Sequence, residues 1–255
     1  MIGDVVGPPG CRALFQCLQS IIKETRADLV IANGENAADG LGLTPEIAEG
    51  LFKVGVDVIT SGNHIWQRPE ILSLLDSDDR ILRPENYPTG VAGKGHCLLN
   101  RREIPIGVIN LQGRLQLYPI RCPFSVASEL IRKLGMKTRV SIVDFHAEAP
   151  EEKEALAFHL DGKVSAVLGT HTHVQTEDDQ ILEGGTAYIT DVGMTGPAEG
   201  VIGMKREISL KRSLTQIPFK MEVQDSDSVI MGALVEIDPE NGRAMAIQRL
   251  RRTAL

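Results

Sequence analysis

The segment KVSAVLGTHTH, residues 163–173, joins two unlike halves. Val164 to Leu168 is a short, almost unbroken apolar run; it stops at Gly169, and His171 and His173 follow. A run this short, without polar alternation, suits a strand buried on both faces, as in the middle of an α/β sheet. On an extended chain residues two apart project to the same side, so the two imidazoles face one direction. The same construction occurs three more times. ADLVIANGEN (27–36) ends at Glu35 and Asn36, VDVITSGNH (56–64) ends at Asn63 and His64, and RVSIVDFHAE (139–148) turns polar at His146.

Amphipathic segments lie between these runs. Pro8 and Pro9 introduce CRALFQCLQSIIKET, whose apolar residues recur at helical spacing. Thr44 before Pro45 is placed to cap a helix through EIAEGLFKVG, with Gly55 near its end. Pro150 opens a third helix, whose first turn is acidic, as the helix dipole favours. The last third reads as strands at 186–194, 229–238 and 243–250, and the Asp238-Pro239-Glu240-Asn241-Gly242 turn makes the last two a hairpin. The pattern predicts an α/β chain with mixed sheets inside and helices outside. No Pro/Gly/Ser-rich linker divides it, so residues 1–255 are expected to form a single domain.

Composition narrows the function. A formal charge of -7 disfavours tight, nonspecific binding to duplex nucleic acid, which relies on basic patches. It leaves a small phosphate ester open, because bound cations reverse the local field. The RLRR segment (249–252) is too short for a nucleic-acid patch and is expected to be a solvated tail. Cys11, Cys17, Cys97 and Cys122 form no C-x-x-C pair and read as free, reduced thiols. No secretory signal precedes the first motif and no apolar run has the length of a membrane span, so a cytoplasmic location is expected.

The polar residues carry the chemistry. Ligands of α/β sheets bind in the crevice beyond the carboxyl ends of the strands. Here Asp4, Glu35, Asn36, Asn63, His146, His171 and His173 all stand at such ends. Any one of these motifs alone reads equally well as a turn or as a hydrogen-bonded core histidine. Their joint placement does not. Carboxylate, amide oxygen and imidazole suit iron, manganese or zinc, and the lack of cysteine speaks against a structural zinc site. Seven such ligands exceed one tetrahedral ion and match two ions sharing a carboxylate.

At these residues the sequence resembles the calcineurin-like metallophosphoesterase superfamily and, more closely, its bacterial YmdB-like family. The matching blocks are IGDVVGPPG (2–10), NGENAADG (33–40), TSGNHIW (60–66), RPENYP (83–88), INLQGR (109–114), DFHAEA (144–149), GTHTHVQT (169–176) and AYITDVGMTGP (187–197). The resemblance implies two mixed β-sheets packed as a sandwich flanked by helices, in four layers. It implies two metal ions, with iron favoured and manganese or zinc as alternatives. Asp4, Asn36 and His173 would hold the first, Asn63, His146 and His171 the second, and Glu35 would bridge them. His64 would contact phosphate and protonate the leaving group. The implied activity is hydrolysis of 2′,3′-cyclic or 3′,5′-cyclic nucleotides, with a hydroxide bridging the metals as nucleophile.

Two departures from the broad superfamily stand out. Its first-strand Asp-x-His pair is here Asp4-Val5-Val6, with Asn36 as the implied replacement, and its bridging aspartate is Glu35. Relatives also carry several apolar residues before the IGD motif. Only Met1 and Ile2 stand there here, so a short first strand and a loosely held Asp4 are expected. Two other readings stay open: a phosphomonoesterase or nucleotidase on the same metals, and a metal-bound regulator acting through protein partners. A small-molecule phosphodiester is the expected partner, with no membrane; a homo-oligomer is left open. Arg114, Tyr118 and Arg121, on the segment after INLQGR, and the GMTGP segment (193–197) are candidates to shape the substrate pocket, although surface-loop positions explain them as well. His96 and His159 have no motif around them.

Overall fold

The computed structural model describes residues 1–254. Its strands are β1 (Asp4–Val5), β2 (Ile31–Asn33), β3 (Val58–Thr60), β4 (His96–Arg101), β5 (Ile104–Gln112), β6 (Val140–His146), β7 (Ala166–Thr170), β8 (Gln180–Ile181), β9 (Ala187–Ile189), β10 (Met194–Pro197), β11 (Ser228–Ile237) and β12 (Ala244–Ala254). Its helices are α1 (Gly7–Thr25), α2 (Pro45–Lys53), α3 (Leu72–Ser77), α4 (Pro123–Leu134), α5 (Pro150–Leu160) and α6 (Arg206–Thr215).

Period-two alternation along the strands builds the layers. One sheet runs β4-β5-β6-β7-β9-β8, parallel through β5, β6, β7 and β9 with antiparallel edges. Its outward residues Ile109, Leu111, Val143, Phe145 and Val167 form a core with α4 and α5. Its inward residues Ala166, Leu168, Ala187 and Ile189 meet Ala233 and Ala244 of the second sheet. That sheet runs β1-β10-β11-β12, and Ile2 ties the β2-β3 pair to it by bridging Ala32 on one side and Gly232 on the other. Its outer face packs Val5, Ala32, Ile59 and Ile230 under α1, α2 and α3. Helix, sheet, sheet and helix make the four layers implied by the resemblance.

The four apolar runs form β2, β3, β6 and β7, as the sequence predicts. Thr44 caps α2, accepting a hydrogen bond from Ile47 N at 3.3 Å. The β11-β12 hairpin also forms, but β12 runs on to Ala254. The RLRR segment therefore belongs to an edge strand, where Arg249 pairs with Glu177 and Asp179 and Arg252 pairs with Glu24. Charged residues on an edge strand keep it from pairing with another chain. The β4-β5 hairpin, turning at Arg102 and Glu103 with φ of 47° and 69°, is unforeseen because no glycine marks its turn. Among the described residues no helix is long and apolar enough to cross a membrane.

The space between the sheets changes character along its length. At the amino ends of the parallel strands, Leu29, Ile31, Ile106, Ile142, Leu168 and Val235 line a cavity of about 480 Å³. Toward the carboxyl ends the same inward face turns polar: Val108 gives way to Asn110 and Gln112, Ile142 to Asp144 and His146, Leu168 to Thr170, and Ile31 to Asn33. Gln112, His146 and Thr170 stand level across the sheet, which gathers the polar ends in one place.

Candidate metal centre

Asp4, Glu35, Asn36, His146, His171, His173 and His64 contact one another at this polar end, and Asn63 stands next to His64 in the chain. Strand β1 is indeed only two residues long, yet Asp4 is fully buried. Its carboxylate accepts hydrogen bonds from His171 N at 3.1 Å and Asn36 Nδ2 at 3.4 Å. Asp4 is thus held from the opposite sheet as well as from its own strand, which corrects the expected loose fit. Glu35, also fully buried, follows β2 and lies at the middle: Oε1 is 2.9 Å from His146 Nε2, and Oε2 accepts from His64 N at 3.0 Å. Gly62 makes this approach possible, since a Cβ there would lie 2.0 Å from His146 Cδ2 and 2.5 Å from Glu35 Oε2.

The histidines share one device. Each ring gives one nitrogen to an acceptor and turns the other inward. Thr170 donates its hydroxyl proton to Asp144 at 2.7 Å, so its oxygen accepts from His146 Nδ1 at 2.9 Å. The Glu148 carboxylate accepts from His171 Nε2 at 3.0 Å, and the Ile202 carbonyl accepts from His173 Nδ1 at 3.0 Å. His146 Nε2, His171 Nδ1 and His173 Nε2 are left with inward lone pairs. Fixing the outer N–H in this way orients metal-binding imidazoles and sets their tautomer.

The inward atoms fit a cation better than they fit each other. Glu35, His146 and His171 each offer one ligand atom, all within 4.8 Å of one another. His171 Nδ1 and His146 Nε2 face each other at 3.0 Å. In the protein alone a proton must serve. Burial disfavours a charged His146, but the Glu35, Asp4 and Asp144 carboxylates together outweigh it and raise the ring to about 9. Burial likewise works against the Glu35 anion, and the His146 and His64 rings outweigh it and hold the carboxyl well below its usual range. Burial, then the neighbouring His146 charge, pushes His171 down to about 3. Asn63 adds an independent sign, because its buried Oδ1 has no hydrogen-bond partner among the described residues. Such an atom normally has one.

Asn36 departs from the expected ligand geometry. Its Nδ2 faces Asp4, Glu35 and His173 Nε2, at 3.4, 3.4 and 3.1 Å, while Oδ1 lies 2.8 Å from His64 Nδ1. A half-turn of the amide exchanges the two atoms and presents oxygen to the cluster.

Several contributors escape a motif reading. Asn33 Nδ2 reaches Asp144 Oδ2 at 3.2 Å, and Asp191 is fully buried beside the His171–His173 turn. Lys153 is fully buried at the acidic start of α5. A period-two polar step inside an apolar run signals Asp144, but nothing local signals Lys153. Tyr118 is 63% exposed, the Arg121 guanidinium lies 3.5 Å from Glu129, and Arg114 offers its backbone N–H to Glu152, so this segment sits on the surface. His96 contacts Glu85 and His159 contacts Ser128, both away from the centre.

Comparison with known proteins bears on this geometry. The profile of the family described as YmdB-like protein matches residues 1–250. A 2′,3′-cyclic-nucleotide 2′-phosphodiesterase of Bacillus subtilis (strain 168) is 45% identical over 249 residues, covering 98% of this chain and 94% of that one. Among solved structures, a hypothetical protein from Thermus thermophilus superposes with a TM-score of 0.94 at 40% identity, covering 100% of this chain and 98% of the other. A phosphatase from Mycoplasma pneumoniae superposes with a TM-score of 0.93 at 35% identity, covering 99% and 92%.

Proposed function

The chain belongs to the YmdB-like protein family and, with its phosphodiesterase and phosphatase relatives, is a phosphoric ester hydrolase; we propose that it uses two metal ions to hydrolyse cyclic nucleotides, 2′,3′-cyclic monophosphates first among them and 3′,5′-cyclic ones second. The observation that carries this reading is the set of inward lone pairs on His146, His171 and His173 around buried Asp4 and Glu35, with each outer ring nitrogen already bonded. Asp4, Asn36 and His173 would hold one ion, Asn63, His146 and His171 the other, and Glu35 would contact both. Mixed nitrogen and oxygen donors suit iron, with manganese or zinc as alternatives. When bound, such a pair makes water a nucleophile near neutral pH and neutralises charge on a transferring phosphoryl group.

The chain's own residues supply orientation and a proton. The His64 ring is 29% exposed, so it meets both the buried carboxylates and the solvent-facing substrate side. Its backbone N–H is anchored on Glu35, and its Nδ1 lies against Asn36. Glu35 Oε1, 3.2 Å from His64 Nδ1, would accept the proton on that nitrogen. The imidazolium form then carries its second proton on Nε2, where it would pass to a leaving sugar oxygen and leave the ring neutral. General acid catalysis of this kind contributes typically ~10² to 10⁴-fold.

The test is a panel on protein reconstituted with Mn²⁺ or Fe²⁺: 2′,3′-cyclic AMP, 3′,5′-cyclic AMP, a bis-nitrophenyl diester and a mono-nitrophenyl ester. Turnover of the cyclic substrates above the monoester is expected. His64→Ala should lower kcat by roughly 10²-fold or more with metal content unchanged. A preference for the monoester turns the assignment to a phosphomonoesterase. Inactivity on all four with both ions bound overturns the enzyme reading in favour of a regulator.

A further inference from the structure

Among the described residues, Lys153 is the one lysine the fold removes from water completely. An ammonium buried this way needs a strong partner. Its Nζ lies 2.8 Å from Asp191 Oδ2, and both side chains are within 1% of full burial. The surroundings make room for the pair: a Cβ at Gly169 would stand 3.1 Å from Lys153 Cδ and 1.8 Å from Thr190 O.

Asp191 is occupied on all sides. The Oδ2 that meets Lys153 also accepts from Thr172 N at 3.0 Å and from Thr172 Oγ1 at 2.9 Å. Oδ1 accepts from Gly193 N at 2.8 Å. Its backbone N–H donates to Thr176 Oγ1 at 2.9 Å, and its carbonyl accepts from Thr176 N at 3.0 Å. Thr172 is the middle of the His171-Thr172-His173 turn, in which both histidines have left-handed backbones, with φ of 104° and 66°. A non-glycine residue in that region is strained and persists only where its surroundings over-determine it. Here the surroundings are Asp191, and behind it Lys153.

We propose that Lys153 and Asp191 are positioning residues: their buried ion pair clamps the strained turn through Thr172, so that His171 and His173 direct their inward nitrogens at the centre. The inference rests on reading that centre as a metal site. Neither residue touches substrate or metal. Their effect is the registration of two ligands that lie two residues apart and serve different ions.

The test is calorimetric titration of Mn²⁺ into the metal-stripped full chain, alongside thermal unfolding. Asp191→Asn and Lys153→Met should each weaken Mn²⁺ binding by roughly 10- to 100-fold, the usual cost of losing a group that supports a metal ligand. Thr172→Val removes the Oγ1 donor to Asp191, together with the longer 3.4 Å contact from Val174 N, and should weaken it severalfold while folding normally, so it tests the clamp even if a buried variant fails to fold. Leu156→Ala, a core truncation on the same helix, is the control: its Tm should fall with Mn²⁺ affinity unchanged. If Asp191→Asn, Lys153→Met and Thr172→Val bind Mn²⁺ as the unsubstituted chain does, and only Tm falls as in Leu156→Ala, the pair is merely structural and the proposal fails. If the unsubstituted chain binds neither Mn²⁺ nor Fe²⁺, the metal reading itself fails, independently of the clamp.

Discussion

The two ends of the space between the sheets are built from the same strands and differ in almost every physical respect. At the amino ends Leu29, Ile106, Ile142 and Leu168 line a cavity whose wall also carries Arg26, Asp28, Arg101 and Arg102, and the inward positions of the strands themselves are apolar. At the carboxyl ends, on the next inward positions of those strands, Asp144, His146 and Thr170 are fully buried and hold charge and hydrogen bonds. Burial stabilises the first set and works against the second, because charged groups lose solvation there. One end supplies folding free energy, and the other uses it to hold carboxylates and imidazoles close together in an arrangement that could hold a cation. The comparison predicts that substitutions at the two ends separate activity from stability.

The largest effect is expected at Glu35, which touches both His146 and His64. Glu35→Ala should lower kcat/KM by about 10³-fold or more, at the upper end of what losing one electrostatic group costs. It should also abolish most of the rise in Tm that Mn²⁺ gives the unsubstituted chain, since a ligand that binds only the folded state stabilises it by mass action. An unchanged Mn²⁺-induced Tm shift in Glu35→Ala would remove Glu35 from the centre.

The reverse pattern is expected at the apolar end. Leu168 is 2% exposed and packs between the sheets. Leu168→Ala should destabilise by about 2–5 kcal/mol, the usual range for a buried leucine truncation. Folded Leu168→Ala should keep its kcat and its Mn²⁺-induced Tm shift. A loss of kcat beyond about fivefold at saturating Mn²⁺ would show that the ends are mechanically coupled through β7, as rigid close packing allows.

This contrast also explains what was legible in the sequence. The apolar runs announced β2, β3, β6 and β7 because strands covered on both faces need unbroken Val, Ile and Leu. The candidate ligands other than Asp4 were visible because they stand where such runs end. The β4 strand, exposed on one face and turning without glycine, carried neither signal. Asn36 was found as a residue, but its amide orientation is set by His64, His173 and Asp4, which lie far from it in sequence or on other elements. Lys153 was invisible because it stands among Glu151, Glu152 and Glu154 in a turn that reads as charged; only the fold buries Lys153 with Glu152 and places it against Asp191.

The smallest effect tests how far the polar end extends. Asp178 lies at its rim and accepts hydrogen bonds from Thr190 N, at 3.2 Å to each carboxylate oxygen, and from Thr190 Oγ1; Thr190 directly precedes Asp191. Partial burial works against the Asp178 anion, but the hydrogen bonds from Thr176 and Thr190 outweigh it and hold the carboxyl below the ordinary aspartate value of 3.8. A carboxyl depressed on folding contributes stability that is present above its unfolded pKa and is lost as pH falls through its folded one. Asp178→Asn should therefore cost about 0.5–1 kcal/mol near pH 7, the net worth of such bonds at a partly exposed site. That difference should hold at pH 5 and shrink as pH falls below about 4, because protonation then removes the anion from the unsubstituted chain as well. Urea unfolding of metal-free protein at pH 7, 5 and 3.5 measures it. A difference that stays constant to pH 3.5 would mean the Asp178 bonds do not depend on its charge, and that the electrostatic character of the polar end stops at Asp191.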